Sequence, residues 1–178
     1  MADGGIALDI NGSRVGVTIG DVDTHPRHMS WHLYGGEDEP ALTRSCGVLY
    51  ASVSELCKVL RPKILAIEAL LTMEGRNPRT ALILFQLTGA ARAAGHNAGA
   101  RVIFGHLSTV RKHFCGRGNL NSAEAEAAIA ERCRLLGWTP ANHDEGDSAA
   151  LFSWAMATNF PRWSPKSTPL FRERAGAA

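Results

Sequence analysis

Residues 4–21, GGIALDINGSRVGVTIGD, narrow the folds open to this chain more than any other stretch. Ile6, Leu8 and Ile10 alternate with Ala7, Asp9 and Asn11, which is the period of a strand. Asn11-Gly12 is a strong hairpin signal, and Val15, Val17 and Ile19 then resume the alternation. The chain therefore opens on two antiparallel strands. Asp9 is the odd member, a carboxylate inside an apolar strand. Burying it is costly unless a partner or a metal ion answers its charge.

The rest of the chain reads as strands and helices that alternate. Residues 29–34 give a third strand beside a polar connector that carries His25, His28 and His32. Leu49, Val53, Leu56, Val59 and Leu60 recur at helical spacing, which predicts a helix over 42–60 ended by Pro62. The short apolar run at 63–69, KILAIEA, reads as a central strand buried on both faces, with Glu68 at its end. A helix over 80–95, capped by Asn77 or Thr80, carries Gly89, Ala90, Ala93 and Ala94 and suits either the core or a dimer surface. A strand at 101–104 and a short helix at 107–114 follow. Ser122 then caps a helix over 123–138, and the last helix covers 143–158. Residues 160–178 hold three prolines and read as a basic, loose tail behind a single domain of residues 1–159. Three antiparallel strands followed by helix-alternating strands make an α/β fold with a mixed sheet.

Composition excludes little by itself. The 178 residues are 45% hydrophobic with a net charge of +2. No apolar run approaches the ~20 residues that span a bilayer, and no signal peptide is seen at the N-terminus, so a cytoplasmic protein is expected. The four cysteines form no CxxC pair and read as free thiols. Fifteen of the nineteen basic residues are Arg, the better side chain for forked contacts to phosphate.

The acids carry the chemistry. Asp9 lies inside the first strand and Glu68 ends a central one, while Asp144 and Asp147 stand three apart and share a helix face. If the first and central strands are neighbours, Asp9 and Glu68 lie side by side. A helix across the sheet then brings Asp144 and Asp147 to them. Four carboxylates in one place repel each other unless cations neutralise them, and such hard oxygen ligands suit Mg2+ or Mn2+. Two ions roughly 4 Å apart clamp a phosphodiester without a Ser or Cys nucleophile. Helix capping is the plain alternative for Asp144 and Asp147.

This ordered set resembles the RuvC-type Holliday-junction resolvases, a branch of the ribonuclease-H-like nucleases. Its carriers are ALDINGSRVGVTIGD with Asp9, LAIEA with Glu68, the basic segment VRKHFCGRGN, and HDEGDSAALFSWA with Asp144 and Asp147. The resemblance implies a ribonuclease-H-like mixed five-stranded sheet with helices on both faces. It also implies a homodimeric endonuclease that nicks four-way DNA junctions, with two Mg2+ ions per active site (Mn2+ substituting) on Asp9, Glu68, Asp144 and Asp147. Arg111, Lys112 and Arg117 are the candidate phosphate contacts, and Arg76 and Arg79 follow the catalytic strand and track a DNA strand. His143 adjoins the pair and either orients a ligand or water or faces solvent; Glu145 is expected at the surface. The chain departs from the family where Asp9 is followed by Ile-Asn-Gly in place of an Asp-Pro-Gly-like turn. It departs again where Leu70, Leu71 and Met73 stand in the region of a wedge aromatic, and where Asn121, Ser122 and Ala123 replace a lysine. Those changes suit a phage or prophage member with broader action on branched DNA. Two rivals stay open: a nuclease of the same fold acting on flaps or RNA precursors, and a non-hydrolytic nucleic-acid-binding relative.

Overall fold

The computed structural model describes residues 3–34, 38–70 and 77–165. Strands β1 (Gly4–Ile10), β2 (Arg14–Asp21) and β3 (Arg27–His32) precede helix α1 (Glu39–Leu60). Then come β4 (Ile64–Glu68), α2 (Pro78–Asn97), β5 (Arg101–Gly105), α3 (Leu107–Cys115), α4 (Ser122–Leu136) and α5 (His143–Asn159). The strands form one sheet in the order β3-β2-β1-β4-β5. The β1–β2 and β2–β3 pairs are antiparallel, and the β1–β4 and β4–β5 pairs are parallel. This is the expected mixed five-stranded sheet, with helices on both faces.

Side-chain alternation along the strands decides which helices meet which face. Ile6, Leu8, Val15, Val17, Leu65 and Ile67 join Leu49 and Val53 of α1 and Leu87, Ala91 and Ala94 of α2 in one core. Ala7 and Ala66 fall on the opposite face and join Ala149, Phe152 and Met156 of α5, with α3 and α4 packed outside. α5 is apolar nearly all round and lies buried between sheet and outer helices. Its closest approach is at Gly16, where a Cβ would stand 2.0 Å from the Asp144 carbonyl oxygen. Only a residue without a side chain lets the start of α5 sit on β2.

Several boundaries move for local reasons. α1 begins at Glu39, ahead of residue 42, because Asp38 caps it by accepting from the Ala41 N–H at 2.7 Å. It ends where Arg61 takes the left-handed conformation before Pro62. α4 is capped by Asn121 instead of Ser122, in a capping box with Glu124. α2 uses Asn77. The third strand runs Arg27–His32, two residues earlier than expected, because its pairing with β2 closes at Arg14–His32. The first residues of the expected tail belong to the packed body: Trp163 is buried edge-on against Phe152, and Arg162 pairs with Asp3 at 3.3 Å.

Candidate active site

Asp9 and Glu68 are brought together by register. Leu8 pairs with Ile67 in the parallel β1–β4 ladder, so one residue further on each strand stand Asp9 and Glu68. Both are in step with Ala7 and Ala66 and turn toward the α5 face. There they meet the first turns of α5. Asp9 is partly exposed at its edge, yet protein surrounds its carboxyl closely. Desolvation raises its pKa well above the ordinary value, and the Glu68 carboxyl, which also hydrogen-bonds it, adds to the rise. Asp147 and then Asp144 contribute further. Asp147 is raised to about 6, first by desolvation and then by Glu68, against the opposing pull of Arg111 and His143. The four predicted acids therefore share one electrostatic neighbourhood. Of the four, Asp9 and Glu68 line a hollow of about 240 Å³ with Asn11, Leu70 and the α2 residues Thr80, Leu84 and Thr88, while Asp147 and His143 line a separate one between α4 and α5.

Asp144 is held differently from the other three. Its carboxylate accepts from Asn11 Nδ2 at 2.6 Å and from Arg14 Nη1 at 3.2 Å, and His143 Nε2 lies 3.2 Å away. Asn11 is itself fixed, because its Oδ1 accepts from the Ser13 and Arg14 N–H groups of the hairpin turn. So the β1–β2 hairpin grips the start of α5. Among the described residues, no group of three or more His, Cys, Asp and Glu side chains stands ready to hold a metal ion, and Asp144 faces the hairpin. The donor set nonetheless fits a hard divalent cation: buried, mutually repelling carboxyls are what such a charge relieves.

Glu145 is a correction. It is buried, not at the surface. Its carboxylate turns back over the helix start and accepts from the Ala141 N–H at 2.8 Å and from Asn142 Nδ2 at 3.1 Å, while Asn142 caps Glu145 N–H. Backbone donors and the positive end of the helix compensate the charge. The signal was present in sequence, since Asn142-x-x-Glu145 repeats the Asn121-x-x-Glu124 pattern that caps α4. A chain of shared hydroxyls runs below it, from Ser148 through Thr18 to His28 on β3.

The basic residues divide into three groups. Arg111 is half-buried and donates from Nη1 to the Leu120 carbonyl at 3.1 Å, while its buried Nε has no hydrogen-bond partner. Its charge reaches Asp147. Lys112 and Arg117 are exposed on α3 and the loop after it, and Arg79 is exposed at the start of α2. Arg76 lies outside the described residues. Sequence reasoning missed Asn11 and Arg14, whose contacts span 133 and 130 residues and leave no local trace. It also missed Arg132 on α4, whose charge, like that of Arg117, reaches Cys115 beside the site.

No protein-family model matches the chain. In sequence it is 31% identical over 110 residues to the crossover junction endodeoxyribonuclease RuvC of Anaeromyxobacter dehalogenans, covering 62% of this chain and 57% of that protein. The chain thus aligns with little more than half the length of this curated relative. In structure it is similar to Thermus thermophilus RuvC in complex with a Holliday junction substrate, with a TM-score of 0.69, 21% identity, and coverage of 90% of this chain and 95% of that one. A second T. thermophilus RuvC structure gives a TM-score of 0.68 at 18% identity, over 91% and 99% of the two chains. The yeast mitochondrial Holliday junction resolvase Ydc2 gives 0.58 at 11% identity, over 85% and 77%. With a mixed five-stranded sheet and five helices among the described residues, the chain has the RuvC-type, ribonuclease-H-like fold and is similar in sequence to a RuvC-type resolvase.

Proposed function

We propose that this protein is a structure-selective endodeoxyribonuclease that nicks four-way DNA junctions by metal-assisted phosphodiester hydrolysis. The observation that carries this reading is the convergence of Asp9, Glu68 and Asp147 where β1 and β4 end beneath α5, with the pKa values of Asp9 and Asp147 pushed up by burial and by the neighbouring carboxyls. Carboxyls arranged so gain from a divalent cation, since Asp147 stays raised even against the pull of Arg111 and His143. Bound there, Mg2+ or Mn2+, as two ions per site, supplies activation of water and stabilisation of the leaving oxygen. The chain's own residues do the rest. Asp9, Glu68, Asp144 and Asp147 offer the oxygen ligands, and His143 steadies Asp144 from outside. Arg111 draws the phosphodiester toward Asp147 and holds the loop before α4. Lys112, Arg117, Arg79 and Arg76 give sequence-independent phosphate contacts, which set affinity and its salt dependence.

The partner is branched DNA, and the working unit is a homodimer. Leu82 and Phe85 on α2, 56% and 49% exposed, form with Gly89 an outward stripe beside Phe104 of the edge strand β5. That stripe supports a two-fold contact that sets two sites on opposite strands. We read the compartment as the bacterial cytoplasm, or that of the host for a phage-borne copy. All four cysteines are free, and no described helix is long and apolar enough to cross a membrane. Within the proposal, residues 1–159 are the nuclease domain, extended by the packed residues around Trp163.

The test is cleavage of a synthetic four-way junction with Mg2+, beside linear duplex, a flap and an RNA–DNA hybrid. Paired nicks in the junction alone support the reading. Equal cutting of all branched forms shifts it to general debranching, and cutting of the hybrid alone to RNA processing. Asp9→Asn is expected to keep junction binding and to lose cleavage by more than about 100-fold, because loss of a group that merely supports a metal ligand already costs 10–100-fold. Wild-type cleavage by that variant would remove the site.

A further inference from the structure

Asp144 has a donor on each carboxylate oxygen, whereas desolvation and the neighbouring carboxyls dominate at Asp9 and Asp147. Asn11 and Arg14 satisfy its two oxygens, and His143 flanks it. The Asp144 side chain is 3% exposed and that of Arg14 is 35% exposed. Asn11 is locked by the turn it makes, so Arg14 is the member of the grip free to move. Its partly exposed guanidinium starts from the same β1–β2 hairpin whose Asp9, Asn11 and Gly12 line the hollow with Glu68. A guanidinium binds phosphate oxygens in a two-point fork at least as well as it binds a carboxylate. Once Arg14 leaves, Asp144 is a buried carboxylate whose remaining partners, Asn11 Nδ2 and the His143 ring, both lie on Oδ1, so Oδ2 loses its partner, which is costly until a cation replaces the lost charge.

We propose that Arg14 is a substrate-coupled latch: in the DNA-free protein it neutralises Asp144, and on DNA binding it passes to a phosphate oxygen, leaving Asp144 to a second divalent ion. This rests on the metal-nuclease reading above and deepens it. Arg14 is a positioning residue for Asp144 in one state and a phosphate contact in the other. The latch makes metal occupancy depend on substrate, so the DNA-free protein holds one ion tightly and the second weakly.

The experiment counts Mn2+ by electron paramagnetic resonance on DNA-free protein. Wild type should bind one ion per chain, with a second at least about tenfold weaker, a difference of ~1.4 kcal/mol. Arg14→Gln should tighten the second ion by about that factor, while Arg14→Lys, which keeps the charge, should leave it weak. With EDTA present, Arg14→Gln should also lower the slope of log affinity for a junction against log salt by about 0.9, one phosphate contact. Should Arg14→Gln fail to fold, the wild-type protein still decides. The guanidinium resonance of Arg14 should shift when junction is added in EDTA, and its staying in place overturns the latch. An unchanged second-ion affinity in a folded Arg14→Gln protein also overturns the latch but leaves the metal site standing. Absence of any Mn2+ binding by wild type overturns the metal-nuclease reading itself.

Discussion

At the scale of single residues, the acids destabilise the fold they serve. Asp147 titrates at about 6 in the folded protein against 3.8 ordinarily, chiefly through desolvation and then through Glu68. A raised carboxyl pKa means that the folded state holds the proton more tightly than the unfolded chain. The resulting stability is fully present below pH 3.8 and is lost as pH rises through about 6. Asp9 acts with the same sign, also from desolvation first and Glu68 second. In EDTA, the melting temperature should therefore fall as pH is raised across that window. A cation that binds the ionised acids should restore it, by about 2.7 kcal/mol at a hundred times its dissociation constant. Asp147→Asn should flatten the fall and melt higher than wild type at pH 7 in EDTA, yet lose cleavage. Thermal melts across pH, with and without Mg2+, check this; a wild-type profile that is flat from pH 4 to 7 would contradict it.

At the scale of elements, the site depends on how closely α5 lies on the sheet. Gly16 faces Asp9 across the β1–β2 ladder, and a Cβ there would stand 2.0 Å from the Asp144 carbonyl and 2.9 Å from the Glu145 nitrogen. Both are backbone atoms, so α5 itself must shift. Gly16→Ala should cost about 1–3 kcal/mol by overpacking and should remove cleavage by lifting Asp144 and Asp147 off Asp9. Gly12→Ala, with nothing within 4 Å of the added carbon, is the control and should stay near neutral. Urea midpoints and cleavage rates of the two variants test the contrast. Much of this architecture was legible in sequence, because strand alternation and the Asn-Gly turn are local signals. Asp9 and Glu68 stood out because a carboxylate inside an apolar strand has no packing reason. Glu145 was misread as surface because its partners, Ala141 and Asn142, compensate it in a way that ordinary amphipathic reading ignores. Arg14 and Asn11 were invisible for another reason: their meaning lies in a contact with α5 that only the folded chain makes.

At the scale of the whole molecule, the proposed function asks for two sites, since one site nicks one strand and a junction is resolved only when two strands are cut in register. The proposed two-fold contact answers that need and also covers surface that a monomer leaves to water. α2 turns Ala81, Leu84, Leu87 and Ala91 inward, which leaves Leu82, Phe85 and Gly89 on the outer side. Phe104 on the edge strand, under the Arg92 guanidinium at 5.8 Å, extends the apolar stripe across to β5. Large aromatic side chains at the centre of such a contact carry most of its energy, commonly about 2 kcal/mol or more each. Phe85→Glu should therefore sediment as a monomer at micromolar concentration where wild type sediments as a dimer. Because residue 85 lies on the face of α2 turned away from the core, the variant should fold and bind Mn2+ as wild type does. Its products should change in kind: single nicks in a junction in place of paired ones. A monomeric wild type that still makes paired nicks would show that the stripe has another use and that pairing of the cuts arises without a fixed dimer.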